Sequence, residues 1–156
     1  MRVNYTTYDM RRAQDYINPR TQRDIMLLSQ DSSLDAHPFW YARVLGIFHV
    51  EVGRITNDGQ GDIKSKRKEV LWVRWFGIEP GHRSGLKAAR LPKIGFVPEQ
   101  DQHAFGFLDP SLVLRACHLP PVFSGGRTNS LLSYEGLTVA RPLSEKDDWE
   151  NYYVNM

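Results

Sequence analysis

The sequence predicts a mainly β domain, a small curled antiparallel sheet or partly open barrel with a short C-terminal helix. Two aromatic and β-branched runs, FWYARVLGIFHVEVGRI at 39–55 and VLWVRWFGI at 70–78, favour long strands. Glycine and proline separate the other apolar segments, which are short. Alternating strand and helix units are missing, and so is any glycine-rich phosphate motif, which argues against a dinucleotide-binding or P-loop fold. The 156 residues suit one domain, 1–156, with its core at about 24–123 and both ends packed on it or mobile.

The N-terminal third predicts two short strands. Residues 2–10 are rich in Val, Tyr and Thr and favour a strand, whereas 11–23 are polar and contain the turn signal Asn18-Pro19. DIMLLS at 24–29 predicts a short strand, and turn-forming residues at 30–38 predict a loop.

Alternation along 39–55 predicts which side chains face the core. Side chains alternate across a strand, so the apolar or small even positions should be buried and the odd positions, Arg43 among them, half exposed. The even set is Trp40, Ala42, Val44, Gly46, Phe48, Val50 and Val52. Gly46 predicts a bend or bulge in the middle of this strand.

The segment 56–69 predicts the charged tip of an antiparallel hairpin that joins 39–55 to 70–78. It contains the turn signals Asp58-Gly59 and Gly61 and ends in the basic run KSKRKE. In the second strand Leu71, Val73 and Trp75 form one apolar set. The opposite set places Arg74 between Trp72 and Phe76.

The second half predicts short elements. One helical turn is expected at 85–90, and strands at 93–97, 103–107 and 112–119, where Pro120-Pro121 ends the last one. The tail SEKDDWENYYVNM predicts a short helix capped by Ser144 or Asp147.

Composition limits the classes of function. No stretch has the ~20 apolar residues of a membrane span, and the N-terminus has no apolar segment of a secretory signal. Cys117 is the only cysteine, so we expect a reducing compartment, the nucleus or alternatively the cytoplasm. The five histidines have no metal-ligand spacing, and no nucleophile motif occurs. We therefore expect no enzyme activity, no metal and no cofactor.

The aromatic residues of the two long strands are the first candidate site. Aromatic walls bind methylated ammonium groups or stacked bases, and Arg beside an aromatic ring supports such stacking. The ligand-binding candidates are Tyr41, Trp72, Arg74, Trp75 and Phe76. The alternative is that these rings only fill the core. Alternation assigns Trp40 and Trp75 to the core and leaves Tyr41, Trp72 and Phe76 for the surface.

A positive middle region is the second candidate site. Residues 37–97 contain eleven Lys/Arg and five Asp/Glu, a surplus of six, whereas 98–156 contain four against eight. This distribution favours a nucleic acid or an acidic partner, unless the basic run is only a solvated loop. The nucleic-acid candidates are Lys64, Lys66, Arg67, Lys68, Arg83, Lys87 and Arg90.

The two long strands resemble a bromo-adjacent homology (BAH) domain over residues 24–122. The family's P-x-Y-I-A-R-I and V-x-V-x-W-F strands match Pro38, Tyr41, Ala42, Arg43, Val44 and Ile47, then Val73, Trp75 and Phe76. LVLRACHLPPV is similar to the family's closing strand, but GIEPGHRSG replaces its Arg-Pro-Glu segment. The resemblance implies a β-rich chromatin module in the nucleus that binds a histone tail, a nucleosome surface or another protein, with DNA as a further partner.

The last two-thirds of the chain resemble the C-terminal region of uncharacterised fungal proteins, many linked to mobile elements. FGFLDPSLVLRACHLPPVFSGGRT and DDWENYYVNM are the matching segments. This resemblance implies that the chain is the end part of a larger protein. A further alternative is that the chain is a purely structural domain of a transposon-derived protein and binds no ligand.

Overall fold

The protein is mainly β: in the part of the chain that the structure describes, 50% of residues are in β structure and 7% are helical. The computed structural model describes residues 1–6, 12–33, 36–53, 65–134, 136–142 and 145–155. Within these residues the strands are β1 Arg2–Thr6, β2 Arg12–Tyr16, β3 Asp24–Leu28, β4 Phe39–Val52, β5 Lys66–Ile78, β6 Lys93–Phe96, β7 Phe105–Leu108, β8 Val113–Ala116, β9 Arg127–Thr128, β10 Asp148–Trp149 and β11 Tyr152–Tyr153. The predicted β class is therefore confirmed.

Seven strands form the central antiparallel sheet in the order β11-β6-β5-β4-β3-β8, with β7 also paired to β5. The β1–β2 hairpin lies against β8, and β9 pairs with β10. The sheets are antiparallel and do not close into a barrel. β2 lies in the polar segment for which the sequence predicted no strand. Its pairing with β1 and the bonding of the Ala116 N–H to Asp15 hold it in place.

The predicted hairpin of the two long strands is confirmed. β4 and β5 pair from Tyr41 opposite Phe76 to Val52 opposite Lys66. The register shifts between Val44 and Gly46, so the bend predicted at Gly46 is also present. A Cβ atom on Gly46 would lie 2.7 Å from the Phe48 ring, which explains why glycine fits this position.

The inner half of the hairpin is covered on both faces. Ala42 and Val44 pack in one apolar cluster with Ile25, Leu71 and Val73. The other face carries a second cluster, which includes Met26, Tyr41, Phe76, Phe96, Cys117 and Tyr152. The predicted half-exposure of the odd positions is thus wrong for Tyr41 and Arg43, because the C-terminal part of the chain covers the face that alternation had given to solvent.

The outer half of the hairpin is a two-stranded ribbon with exposed residues on both faces. We call residues 48–52 of β4 and 66–70 of β5 the outer ribbon; within the described residues, no further strand pairs with either segment. Phe48, Val50 and Val52 were predicted to be buried but are exposed, because no layer covers this half. β5 also begins at Lys66, so part of the predicted loop is strand.

The C-terminal helix expected from the sequence is wrong for the described residues. The tail forms β10 and β11, and β11 pairs with β6 at the edge of the central sheet. The side chain of Tyr152 explains the preference for a strand, since its ring packs edge-on against Phe76 and Phe96 at centroid distances of 5.7 and 5.8 Å.

Helical structure in the described ranges consists of single 3₁₀ turns at Leu86–Ala88, Pro110–Leu112 and Phe123–Gly125. The first confirms the turn predicted at 85–90. No helix in these ranges is both long and apolar enough to span a membrane.

Candidate functional site

An aromatic groove opens on the edge of β5, where its neighbouring strand changes. β5 pairs with β7 through residues 71–74 and with β6 through 76–78, which leaves Trp75 between the two partners. The Trp75 N–H donates to Ala104 O at 2.9 Å, and the Val97 N–H donates to Trp75 O at 3.1 Å. The groove measures about 470 Å³ and is lined by Trp40, Trp75, Phe76, Val97, His103, Phe105 and Gly106. We call this set the aromatic groove.

Two indoles form the corner of the aromatic groove. Trp75 pairs across the strands with Ala42, two residues from Trp40, so both indoles lie on the same face of the sheet. Their ring centroids are 6.0 Å apart, and their planes meet at 81°. Trp40 is 37% exposed, so this corner is open to solvent.

Polar groups in the aromatic groove are mostly donors. The Trp75 indole N–H donates to no described residue, and it lies over Gly106, where a Cβ would come within 2.9 Å of Nε1. The Gln102 side-chain nitrogen lies 3.1 Å from His103 Nε2, and the imidazole offers one further ring nitrogen, Nδ1. None of the described lining residues carries a carboxylate.

Buried cations lie behind two walls of the aromatic groove. The Arg43 guanidinium carbon lies 5.6 Å from the Phe76 ring centroid, and that of Arg74 lies 6.0 Å from the Phe105 centroid. Both guanidinium groups also face Phe96, at 4.9 and 3.7 Å. These rings therefore already accept cation–π contacts from inside the protein.

Asp148 holds Arg74 and Arg141 in a buried ion network. Arg74 donates to both carboxylate oxygens at 3.0 Å, and Arg141 donates to Oδ2 at 2.9 Å. All three side chains are at most 2% exposed. Burial lowers the pKa of Arg74, although Asp148 opposes this change. The network joins the C-terminal segment to the centre of β5.

Arg43 is neutralised by Asp24 and Glu145. Arg43 Nε donates to Asp24 Oδ1 at 2.7 Å, and Arg43 Nη2 donates to Asp24 Oδ2 at 3.0 Å. Glu145 forms ion pairs with both Arg43 and Arg23. Burial is the largest single influence and lowers the pKa of Arg43, but Asp24, Tyr152 and Glu145 together raise this pKa above its usual value. This arginine is a structural ion-pair partner whose side chain is only 5% exposed.

The structure divides the five aromatic-site candidates. Trp75 and Phe76 both line the aromatic groove, but Phe76 is only 7% exposed and Tyr41 only 1%, so the surface position predicted for these two is wrong. Trp72 is half-buried and packs towards Leu45 and Leu132 rather than into the groove. Arg74 is fully buried.

The sequence missed the other walls of the aromatic groove. Trp40 was assigned to the core, yet it forms the exposed half of the indole corner. Its position near the start of β4, two residues after Pro38, is the one sequence signal that could have indicated exposure. Phe105 and Gly106 reach the groove only through the pairing of β7 with β5, which the sequence does not specify.

The basic candidates form two separate groups. Lys66, Arg67 and Lys68 are exposed on the outer ribbon, while Lys64 lies outside the described residues. Arg83, Lys87 and Arg90 are exposed beyond the other end of β5, which is about 40 Å away at ~3.3 Å per residue. Part of the predicted positive surplus, Arg43 and Arg74, is buried and paired.

Cys117 and the histidines form no reactive group in the described part of the chain. Burial raises the pKa of the Cys117 thiol, which keeps it protonated at neutral pH. Nowhere in the described ranges do three or more His, Cys, Asp and Glu side chains come together as a metal site.

No family model matches the chain, and neither a curated protein nor a solved structure is significantly similar to it.

Proposed function

We propose that the protein is a non-enzymatic interaction module that binds a segment of a partner protein in the aromatic groove. The observation that carries this proposal is the indole corner of Trp40 and Trp75, which is open to solvent at the edge of β5. Exposed aromatic side chains are the most common anchors of protein interfaces.

Chromatin proteins are the first candidate partners, and we propose the nucleus as the compartment. The BAH-like residues of β4 and β5 support a histone tail or nucleosome surface, and we propose that the fold is BAH-like. Pro38 and Trp75, two residues of that match, lie at the start of β4 and in the groove itself.

A broad peptide array that includes histone tails, together with binding to whole nucleosomes, tests this function. Trp40→Ala should weaken the best peptide at least about fivefold, because truncation of an aromatic anchor costs more than ~1 kcal/mol. Phe123→Ala is the matched control, since it removes an exposed ring that lies outside the groove. If the wild-type domain binds neither peptides nor nucleosomes, the proposed protein-binding function of the aromatic groove is ruled out.

Binding of nucleic acid is the second candidate function, and the outer ribbon favours it. Lys66 and Lys68 pair with Val52 and Val50, so these two cations lie on one face of a ribbon to which no other described strand pairs. The DNA major groove admits a two-stranded β-ribbon of this kind.

A further inference from the structure

We propose that the occupant of the aromatic groove is an extended, proline-containing segment without charge at the contact, rather than a methylated lysine. This inference rests on the proposed function and names the chemical class of its ligand. Three properties of the groove support it: its hydrogen-bonding groups, the charges behind its walls and the angle of its indoles.

The hydrogen-bonding groups of the aromatic groove match a ligand that mainly accepts. The side chains offer the Trp75 indole N–H and His103, with no carboxylate among the described lining residues. The backbone groups of Trp75 are already paired, because its backbone N–H donates to Ala104 O and its backbone carbonyl accepts from the Val97 N–H. Proline has no N–H, so a proline-rich segment offers carbonyl oxygens and needs few acceptors in return.

The fixed charges disfavour a cationic ligand. A methylated ammonium group gains from the negative face of aromatic rings, but Arg43 and Arg74 already face Phe76 and Phe105 from inside. Arg43 is neutralised by Asp24 and Glu145, but Arg74 shares the carboxylate of Asp148 with Arg141, so this second cluster keeps a net positive charge. A cation in the groove would meet this residual charge, and none of the described lining residues carries a carboxylate.

The angle of the indoles suits a proline ring. Planes that meet at 81° leave a shallow corner between Trp40 and Trp75, and the groove volume of about 470 Å³ is that of a short surface site. Polyproline II segments bind in aromatic-lined grooves of this type, because their backbone loses little conformational freedom on binding.

Fluorescence anisotropy with three labelled ten-residue peptides tests the inference. The first peptide contains two Pro-x-x-Pro repeats, the second replaces each proline with alanine, and the third carries one trimethyllysine and no proline. We expect the proline peptide to bind at least about fivefold more tightly than the other two.

Two variants locate the contact. Trp75→Phe keeps an aromatic wall and removes the indole N–H, and it should weaken binding of the proline peptide about fivefold. Trp149→Phe changes an indole that packs on Phe123 and Arg127, outside the groove, and should leave binding unchanged. Circular dichroism of each variant confirms that it is folded.

Each outcome separates the inference from the proposed function. If the trimethyllysine or the alanine peptide binds more tightly than the proline peptide, and Trp75→Phe weakens that binding, the proline preference is overturned but the interaction module is retained. Equal effects of Trp75→Phe and Trp149→Phe overturn the assignment to this groove. If none of the three peptides binds but an array peptide does, the inference fails alone; if no array peptide binds either, both fail.

Discussion

Asp148 illustrates, at the scale of single residues, how a charge can determine the packing of a sheet. Its carboxylate meets two buried guanidinium groups from different parts of the chain, Arg74 in β5 and Arg141 in the C-terminal segment. A buried ion pair gains little over an apolar core, but removal of one partner leaves the others uncompensated.

Asp148→Asn should therefore lower the free energy of unfolding by about 3–5 kcal/mol, because two buried cations lose their carboxylate. Urea denaturation followed by tryptophan fluorescence measures this change. Asp147→Asn is the matched control on the neighbouring, half-buried carboxylate and should change stability by less than about 1 kcal/mol. Equal, small effects of the two substitutions would show that the network is dispensable.

Cys117 should make stability depend on pH in the alkaline range. Burial raises the pKa of this thiol in the folded protein. The free energy of unfolding that this difference contributes is therefore fully present below the pKa of the thiol in the unfolded chain, about 8.5. Above that value only the unfolded chain loses the proton, and the free energy of unfolding falls by up to ~1.4 kcal/mol per pH unit. Tyr41, whose pKa burial also raises, adds to this loss above about pH 10.

The Cys117→Ala variant should lose the part of this decline between about pH 8.5 and 10. Urea denaturation at several pH values gives the slope for both proteins. A wild-type stability that stays constant with pH, or a decline that the variant shares in full, would refute the assignment to Cys117.

The sequence could not reveal which residues of the inner strands are exposed. Alternation correctly placed Ala42 and Val44 in the core but assumed that the opposite face was wet. Tyr41, Arg43 and Phe76 are buried because β11 and the residues before it cover that face, and this coverage depends on contacts between residues distant in sequence.

At the scale of elements, local patterns predicted β1 and β3 to β8, because each of these segments combines strand-favouring residues with flanking turn signals. They missed β2, β9, β10 and β11, which are two to five residues long and are strands because they pair with a neighbouring strand. Residues 66–69 of the outer ribbon were predicted as a loop for a related reason, since lysine and glutamate have little strand preference.

The β5–β6 ladder offers a matched test of how closely the C-terminal segment packs. Gly77 and Gly95 face each other across the strands, but a Cβ on Gly95 would lie 2.9 Å from the Glu150 carbonyl oxygen. A Cβ on Gly77 would lie 3.8 Å from Val97, an ordinary contact.

Gly95→Ala should lower the free energy of unfolding by about 1–3 kcal/mol, because the backbone at Glu150 must move. Gly77→Ala should be neutral or stabilise slightly, since alanine loses less conformational freedom in a strand by roughly 0.5–1 kcal/mol. Thermal denaturation of both variants compares them directly. The reverse order of stability would contradict the close approach of this segment to β6.

At the scale of the whole molecule, the two exposed basic groups lie at opposite ends of β5. A net-charge count over the sequence could not show this, because it adds buried, paired arginines to exposed lysines. One short DNA duplex that contacts the outer ribbon should therefore leave Arg83, Lys87 and Arg90 free.

DNA binding, if it uses the outer ribbon, should have a log–log salt slope of about −3 to −4, since roughly four cations of the basic run release counterions. A slope near about −6 would require both basic groups to act together. Filter binding of a 12-base-pair duplex between 50 and 200 mM salt gives this slope, and Lys66→Gln with Lys68→Gln should reduce it by about 2. Binding that is insensitive to salt would exclude this mode.

The central claim is that the aromatic groove binds a protein segment, and the four indole N–H resonances report on it separately. The most direct measurement is their assignment in ¹⁵N-labelled protein and titration with the best peptide of the array. We expect the Trp40 and Trp75 indole resonances to shift with a common affinity, while the Trp149 resonance stays in place. A shift of Trp149 without Trp40 and Trp75, at saturating peptide, would contradict it.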